Sequence, residues 1–241
     1  MKIALCLHGV FNSTTDNSSL GIDGHNYIKK HILSTNDVDV YIHSWDVEKQ
    51  EEIKKLYNPI EFAFEQQVDF AHIAASRGIN KLQGCPRPPH NVLSHFYSIQ
   101  KCFNLLYSSN KKYDMVIKSR FDLGRINRNT SGPGRHNPYP VQCINLLQSI
   151  EADKLYMANW NHFHMGPADM WFYGDYNTMK PFQTIYNRLD DQFFINSPFH
   201  KFAVGIEKNV GDLSNSIAFY KWWMMENDLW NKKVTLNTVW E

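Results

Sequence analysis

Long apolar runs are missing from this 241-residue sequence, and no stretch approaches the ~18 consecutive apolar residues that a membrane-spanning helix needs. The opening Met1-Lys2-Ile3-Ala4-Leu5-Cys6-Leu7 is too short an apolar run for a signal peptide and leads straight into polar residues. Cysteine is scarce. Cys6, Cys85, Cys102 and Cys143 form no C-x-x-C pair, which excludes a zinc knuckle and a disulfide framework. Cys6 and Cys102 lie within apolar runs and read as reduced, buried thiols. These absences predict a soluble protein of a reducing compartment, the cytoplasm. An excess of charge is absent too: 25 Lys and Arg stand against 24 Asp and Glu, a formal net charge of +1. That balance excludes a nucleic-acid binder working by bulk electrostatics, which needs a net basic surface.

Several catalytic motifs are also missing. There is no G-x-x-x-x-G-K-[ST] phosphate loop and no G-x-G-x-x-G, and Gly132-Pro133-Gly134 follows no strand pattern. Without a G-x-S-x-G elbow, His8-Gly9 is not the oxyanion loop of an α/β-hydrolase.

What is present is a well-filled globular composition, 43% hydrophobic and 14% aromatic, which rules out a disordered chain. Lys2 to Leu7 reads as a buried strand opening into a loop at His8-Gly9. Asp37 to Trp45 is a second strand, Glu48 to Leu56 a charged surface helix and Ile60 to Phe64 a third strand. In the helix predicted from Asn91 to about Ser108, Val92, Phe96, Ile99, Phe103 and Leu106 form one stripe. Tyr113 to Phe121 is a central strand, followed by strands at 154–159 and 170–173, helices at 177–189 and 214–227, and a last strand at 233–239. Strands alternating with helices predict an α/β sheet with helices on its faces. No repeat, low-complexity tract or linker divides the chain, so residues 1–241 read as one domain.

The central strand turns charged at its carboxyl end. Alternation puts Lys118, Arg120 and Asp122 on one side and Ile117, Ser119 and Phe121 on the other. Charges there are costly to bury unless paired or given an anionic ligand, and open α/β sheets bind ligands beyond the carboxyl ends of their strands. Two cations suit a diphosphate, and a carboxylate suits a divalent metal or a sugar hydroxyl; an Arg120–Asp122 ion pair capping the strand is the plain structural alternative. Lys118, Arg120, Arg125, Arg128 and Arg135 concentrate positive charge within eighteen positions. His162-Phe163-His164, with Asp169 nearby, offers a metal pair on one side of an extended chain and hence a second enzyme class, a metal-dependent hydrolase. The helix carrying Trp222 and Trp223 is apolar nearly all round and reads mainly as core, with a Trp on its open side as a sugar platform or membrane contact.

The run Tyr113-Asp114-Met115-Val116-Ile117-Lys118-Ser119-Arg120-Phe121-Asp122-Leu123 resembles the YD-x-VI-R-x-R-x-D-L signature of a family of glycosyltransferases with a GT-A-like fold, found in bacteria and large DNA viruses. Four other segments agree in order: 6–9, 38–45, 94–99 and 168–174. The resemblance implies a Rossmann-like α/β/α sandwich with a mostly parallel sheet. It implies a hexosyl- or pentosyltransferase moving a sugar from a nucleotide-sugar to a hydroxyl of a glycan or glycolipid, with peripheral membrane contact in reach and no nucleic-acid partner. By position, Arg120-Phe121-Asp122 is similar to the family's D-x-D motif, which holds Mn²⁺ or Mg²⁺ on the diphosphate; Asp122 keeps the last acid and Arg120 replaces the first. The resemblance thus leaves two versions: Asp122 holds the metal, or Lys118 and Arg120 neutralise the diphosphate directly. It also implies a nucleotide pocket lined by His8, Gly9, His43 and Tyr97, and a general base at Asp169, with Asp190, Asp191 and Glu226 as rivals. The Arg125–His136 segment would close over the donor. The missing first acid also suits a third class, a binding module that keeps the fold without the chemistry.

Overall fold

The computed structural model describes residues 1–11, 20–79, 88–124, 143–160, 163–206 and 213–237. Its strands are β1 (Lys2–Gly9), β2 (Asp37–Ser44), β3 (Glu61–Phe64), β4 (Met115–Arg120), β5 (Leu155–Ala158), β6 (Trp171–Gly174) and β7 (Lys233–Leu236). They form one sheet in the order β3-β2-β1-β4-β6-β5-β7. β6 runs antiparallel to both neighbours and the other pairings are parallel. The helices are α1 (Leu20–Ile28), continued by a π-helical turn (Lys29–Leu33), α2 (Gln50–Tyr57), α3 (Phe70–Ser76), α4 (His90–Ser108), α5 (Ile185–Gln192), α6 (Pro198–Ile206) and α7 (Ser216–Glu226).

β1 lies centrally between β2 and β4, and its continuous apolar run is what a strand covered on both faces requires. Alternation divides the core in two. Ala4, Cys6, Tyr41, Val116, Met157 and Phe172 pack with α4 and α7 on one face, and Ile3, Leu5, Leu7, Ile42, Ile117 and Trp171 pack with Ile28 and Ile53 on the other. The result is a Rossmann-like α/β/α sandwich with a mostly parallel seven-stranded sheet.

Two differences from the sequence reading have local causes. The stretch from Asn177 begins as a turn and a 3₁₀ segment (Lys180–Thr184), with Pro181 in its first turn, before α5 starts at Ile185. The short helices α3 and α6 were not expected, since neither is long enough to show a clear period. Trp222 and Trp223 are buried in the core rather than open to a sugar or a membrane. Cys6 and Cys102 are buried free thiols and Cys143 is buried too, while Cys85 lies outside the described residues. Among the described residues, no helix is long and apolar enough to cross a membrane.

Two glycines place the carboxyl end of the sheet. Gly9 ends β1 at φ +99°, a conformation that favours glycine. Gly24 lets α1 rest on the turn after β4, where a Cβ would lie 1.7 Å from the Phe121 carbonyl oxygen.

Candidate functional site

A cavity of about 730 Å³ opens beyond the carboxyl ends of β1, β2 and β4. The amino-terminal ends of α4 and α7 contribute Asn91, His95, Ser214 and Ser216 to its wall, and the strand ends contribute His8, Gly9, Trp45, Asp46, Arg120 and Asp122. Asp169 comes from the segment before β6, which reaches the same edge because β6 runs antiparallel to β4. Helix amino termini favour negative charge, so the wall offers oriented N–H dipoles as well as Arg120.

Arg120 organises this wall. Its Nε and Nη2 donate to Asp122 Oδ1 and Oδ2 at 2.9 and 2.8 Å, a bidentate fork. Its Nη1 lies 3.5 Å from Asp169 Oδ2. The side chains of Arg120, Asp122 and Asp169 are 35%, 17% and 20% exposed, open enough to meet a ligand. Asp122 foremost, with Asp169 behind it, holds the guanidinium charged well above its ordinary range.

Lys118 shares the Arg120 face of β4 but is completely buried and does not line the cavity, which corrects its expected place on the diphosphate. Its Nζ donates to the Asp169 main-chain oxygen and sits over the rings of Phe172 and Tyr220 at 5.2 and 5.5 Å. Burial brings its pKa down to about 7, against the pull of Asp169. It lies one pleat deeper than Arg120, where the core closes over it.

His43 and Tyr97 also lie behind the wall rather than in it. His43 is buried, with Nδ1 2.7 Å from Ser98 Oγ and Nε2 2.9 Å from Glu65 Oε1. Ser98 Oγ accepts from the Gly9 N–H at 2.9 Å. Tyr97 stacks on Trp45 with ring centres 5.4 Å apart, and Trp45 is the ring that meets the cavity. His8 and Gly9 do line it.

The acids Asp190 and Glu226 pair with Arg77 and Arg188. Neither they nor Asp191 lines the cavity, so among the carboxylates expected as a base only Asp169 does. His162 and the 125–142 segment, with Arg125, Arg128 and Arg135, lie outside the described residues. The His164 main-chain oxygen accepts from Lys221 Nζ. A divalent cation does not fit the residues as they stand: both Asp122 oxygens are committed to Arg120, whose charge occupies the space between Asp122 and Asp169. Among the described residues no three His, Cys, Asp or Glu side chains gather to hold one.

Asp46, His95, Asn91, Ser214 and Ser216 were missed from sequence. A signal for some of them existed: Asn91, Ser94, His95 and Ser98 recur at i, i+3, i+4, i+7, a polar stripe along the amino-terminal half of the helix. Cys102, one turn on, donates its Sγ–H to the Leu7 and Tyr41 carbonyls at 3.3 Å each. Asp46 stands two residues past Ser44, the last residue of β2 and the register partner of Gly9. Its carboxylate accepts from the Phe11 N–H.

No family model matches this sequence, and no curated protein matches it. Among solved structures, the apo form of mouse xyloside xylosyltransferase 1 aligns over 98% of this chain and 85% of its own, at 8% sequence identity and a TM-score of 0.48.

Proposed function

We propose that this chain is a nucleotide-sugar-dependent glycosyltransferase acting on a hydroxyl of a glycan or glycolipid, with residues 1–241 as one catalytic domain. The observation that carries the reading is the Asp122–Arg120–Asp169 series on the wall of a polar cavity beyond the carboxyl ends of parallel strands. Arg120 is the permanent cation of that wall, and Asp169 is a partly exposed carboxylate 3.5 Å from it.

The chemistry then divides as follows. The donor's diphosphate lies against Arg120 and the amino-terminal ends of α4 and α7, which offset the charge that grows on it as the bond to the anomeric carbon breaks. In an inverting transfer the acceptor oxygen forms the new bond to that carbon, and its proton passes to the Asp169 carboxylate. Lys118 works from beneath by holding the Asp169 main chain in place. In this version Arg120 takes the role of the divalent cation.

Calorimetric titration with UDP, GDP, CMP and TDP species, with Mn²⁺ and then with a chelator, tests the reading. Binding that is indifferent to Mn²⁺ and lost in Arg120→Ala is expected. Failure of every nucleotide under both conditions sinks the proposal, and binding that requires Mn²⁺ sinks its metal-free form. The fully committed Asp122 carboxylate favours one second reading, a non-catalytic module. That reading predicts nucleotide-sugar binding with no turnover against a panel of glycan acceptors.

A further inference from the structure

His8 is the polar side chain of the cavity wall whose bonds are unaccounted for. It is 2% exposed, it lines the cavity, and neither Nδ1 nor Nε2 has a hydrogen-bond partner among the described residues. Ala4 and Cys6, on the same face of β1, belong to the apolar core, so an apolar residue at position 8 would continue their pattern. A buried polar group without a partner weakens folding, and such groups are rare in native proteins. Burial first, and then the charges of Lys118, His95, Arg120 and His43, keep the ring neutral.

A neutral imidazole presents one N–H donor and one lone-pair acceptor. Ionised phosphate oxygens only accept, so a phosphate leaves the acceptor nitrogen unmatched. Hydroxyls both donate and accept, so a hydroxyl matches either nitrogen, and because the two nitrogens point to opposite sides of the ring, two hydroxyls on separate parts of a ligand match both. The register adds a position: His8 pairs with Arg120 across the β1–β4 ladder, beside the guanidinium that faces the cavity.

We propose that His8 is a specificity-determining residue that reads sugar hydroxyls next to the anionic group held at Arg120. This rests on the nucleotide-sugar reading for its ligand class, not on turnover. Both nitrogens are shielded from water as well as unbonded, so the hydroxyls enter by displacing a neighbour. That neighbour is His95, another ring of the cavity wall, which packs edge-on against His8 at 5.2 Å between ring centres.

The test uses His8→Met, which removes both hydrogen-bonding atoms, and His8→Gln, which keeps a donor and an acceptor. Denaturant unfolding is measured without ligand. Affinities are measured for UDP, GDP and TDP and for UDP-glucose, GDP-mannose and TDP-glucose, and side-chain ¹⁵N resonances are followed in histidine-labelled wild type. His8→Met should unfold at higher denaturant than wild type and bind the sugar-bearing ligand about tenfold more weakly or worse, a factor set by the loss of buried hydrogen bonds. His8→Gln should recover most of that affinity. A loss confined to the nucleotide-sugar puts the hydroxyls on the transferred sugar, and an equal loss for the nucleoside diphosphate puts them on the ribose. A His8→Met protein less stable than wild type, or one binding every ligand as wild type does, overturns the inference while leaving the nucleotide reading intact. If wild type binds no nucleotide, that reading fails separately, and glucose 1-phosphate set against inorganic phosphate decides His8. Movement of its ¹⁵N resonances with the sugar phosphate alone upholds the inference, and no movement overturns it.

Discussion

His8 and His43 are partners in the β1–β2 register, both buried and both at the carboxyl edge of the sheet, yet their surroundings differ completely. His43 has each ring nitrogen engaged, one by Ser98 and one by Glu65, and through Ser98 it is tied to the Gly9 N–H. His8 meets the edge of His95, whose own Nε2 is 3.0 Å from the Tyr220 hydroxyl, and has no hydrogen bond among the described residues. One turn of α4 makes the difference, because Ser98 faces His43 while His95 faces His8. Two identical side chains on paired positions thus serve as a strut in one case and as unused bonding capacity beside a cavity in the other.

The contrast depends on His8 staying neutral, and Lys118 is the nearby charge that contributes most to this after burial. The largest expected effect is therefore on pH dependence. Between pH of about 7 and about 10.5 the unfolded chain keeps the Lys118 proton and the folded protein does not, so wild-type stability gains from this group as pH rises and loses it as pH falls to about 7. Unfolding titrations of wild type and Lys118→Met should diverge across that window by roughly 3–5 kcal/mol. In the same variant His8 should titrate at higher pH, as followed by NMR. Arg120→Ala comes next. It removes the cation from the wall, and kcat/KM for the donor should fall by at least about 10²–10³-fold; Arg120→Lys should not restore it, since a lysine cannot form the fork on Asp122.

His43→Ala attacks the strut directly. It removes the imidazole bonds of Ser98 and Glu65 and empties a buried site, and should lower stability by about 2–4 kcal/mol in denaturant unfolding, the opposite sign to His8→Met. Ser98→Ala should do the same more weakly, by about 1–2 kcal/mol. The smallest effect lies on the acid side. Both imidazoles are lowered by burial, so their contribution to stability is complete above pH of about 6.5 and is lost as pH falls toward their folded-state values. His8 is displaced further than His43, so His8→Met should flatten the acid limb of the stability curve more than His43→Gln does.

Much of the fold was legible because central strands must be apolar throughout. Lys2–Leu7, 113–121 and the stripe along α4 each carry a pattern that burial alone dictates. The site was legible at its strand ends, where His8, Gly9, Arg120 and Asp122 follow apolar runs, and at Asp169. Depth was not legible. Alternation puts Lys118 on the same side as Arg120 without saying that the core closes over one and not the other, and it puts His43 in line with His8 without saying which helix residue lies above each.

By itself, then, the amino-acid sequence determined which residues share a face, because the periods of strand and helix are set by covalent geometry. It settled the α/β layering and the gathering of charge at the end of β4. Only the tertiary structure decided who pairs with whom. The reach of the Arg120 guanidinium to Asp169, the burial of Lys118 and the isolation of His8 depend on antiparallel β6 and on the rotation of α4. Such contacts join residues tens of positions apart, and spacing along a chain carries no record of the angle at which two elements meet.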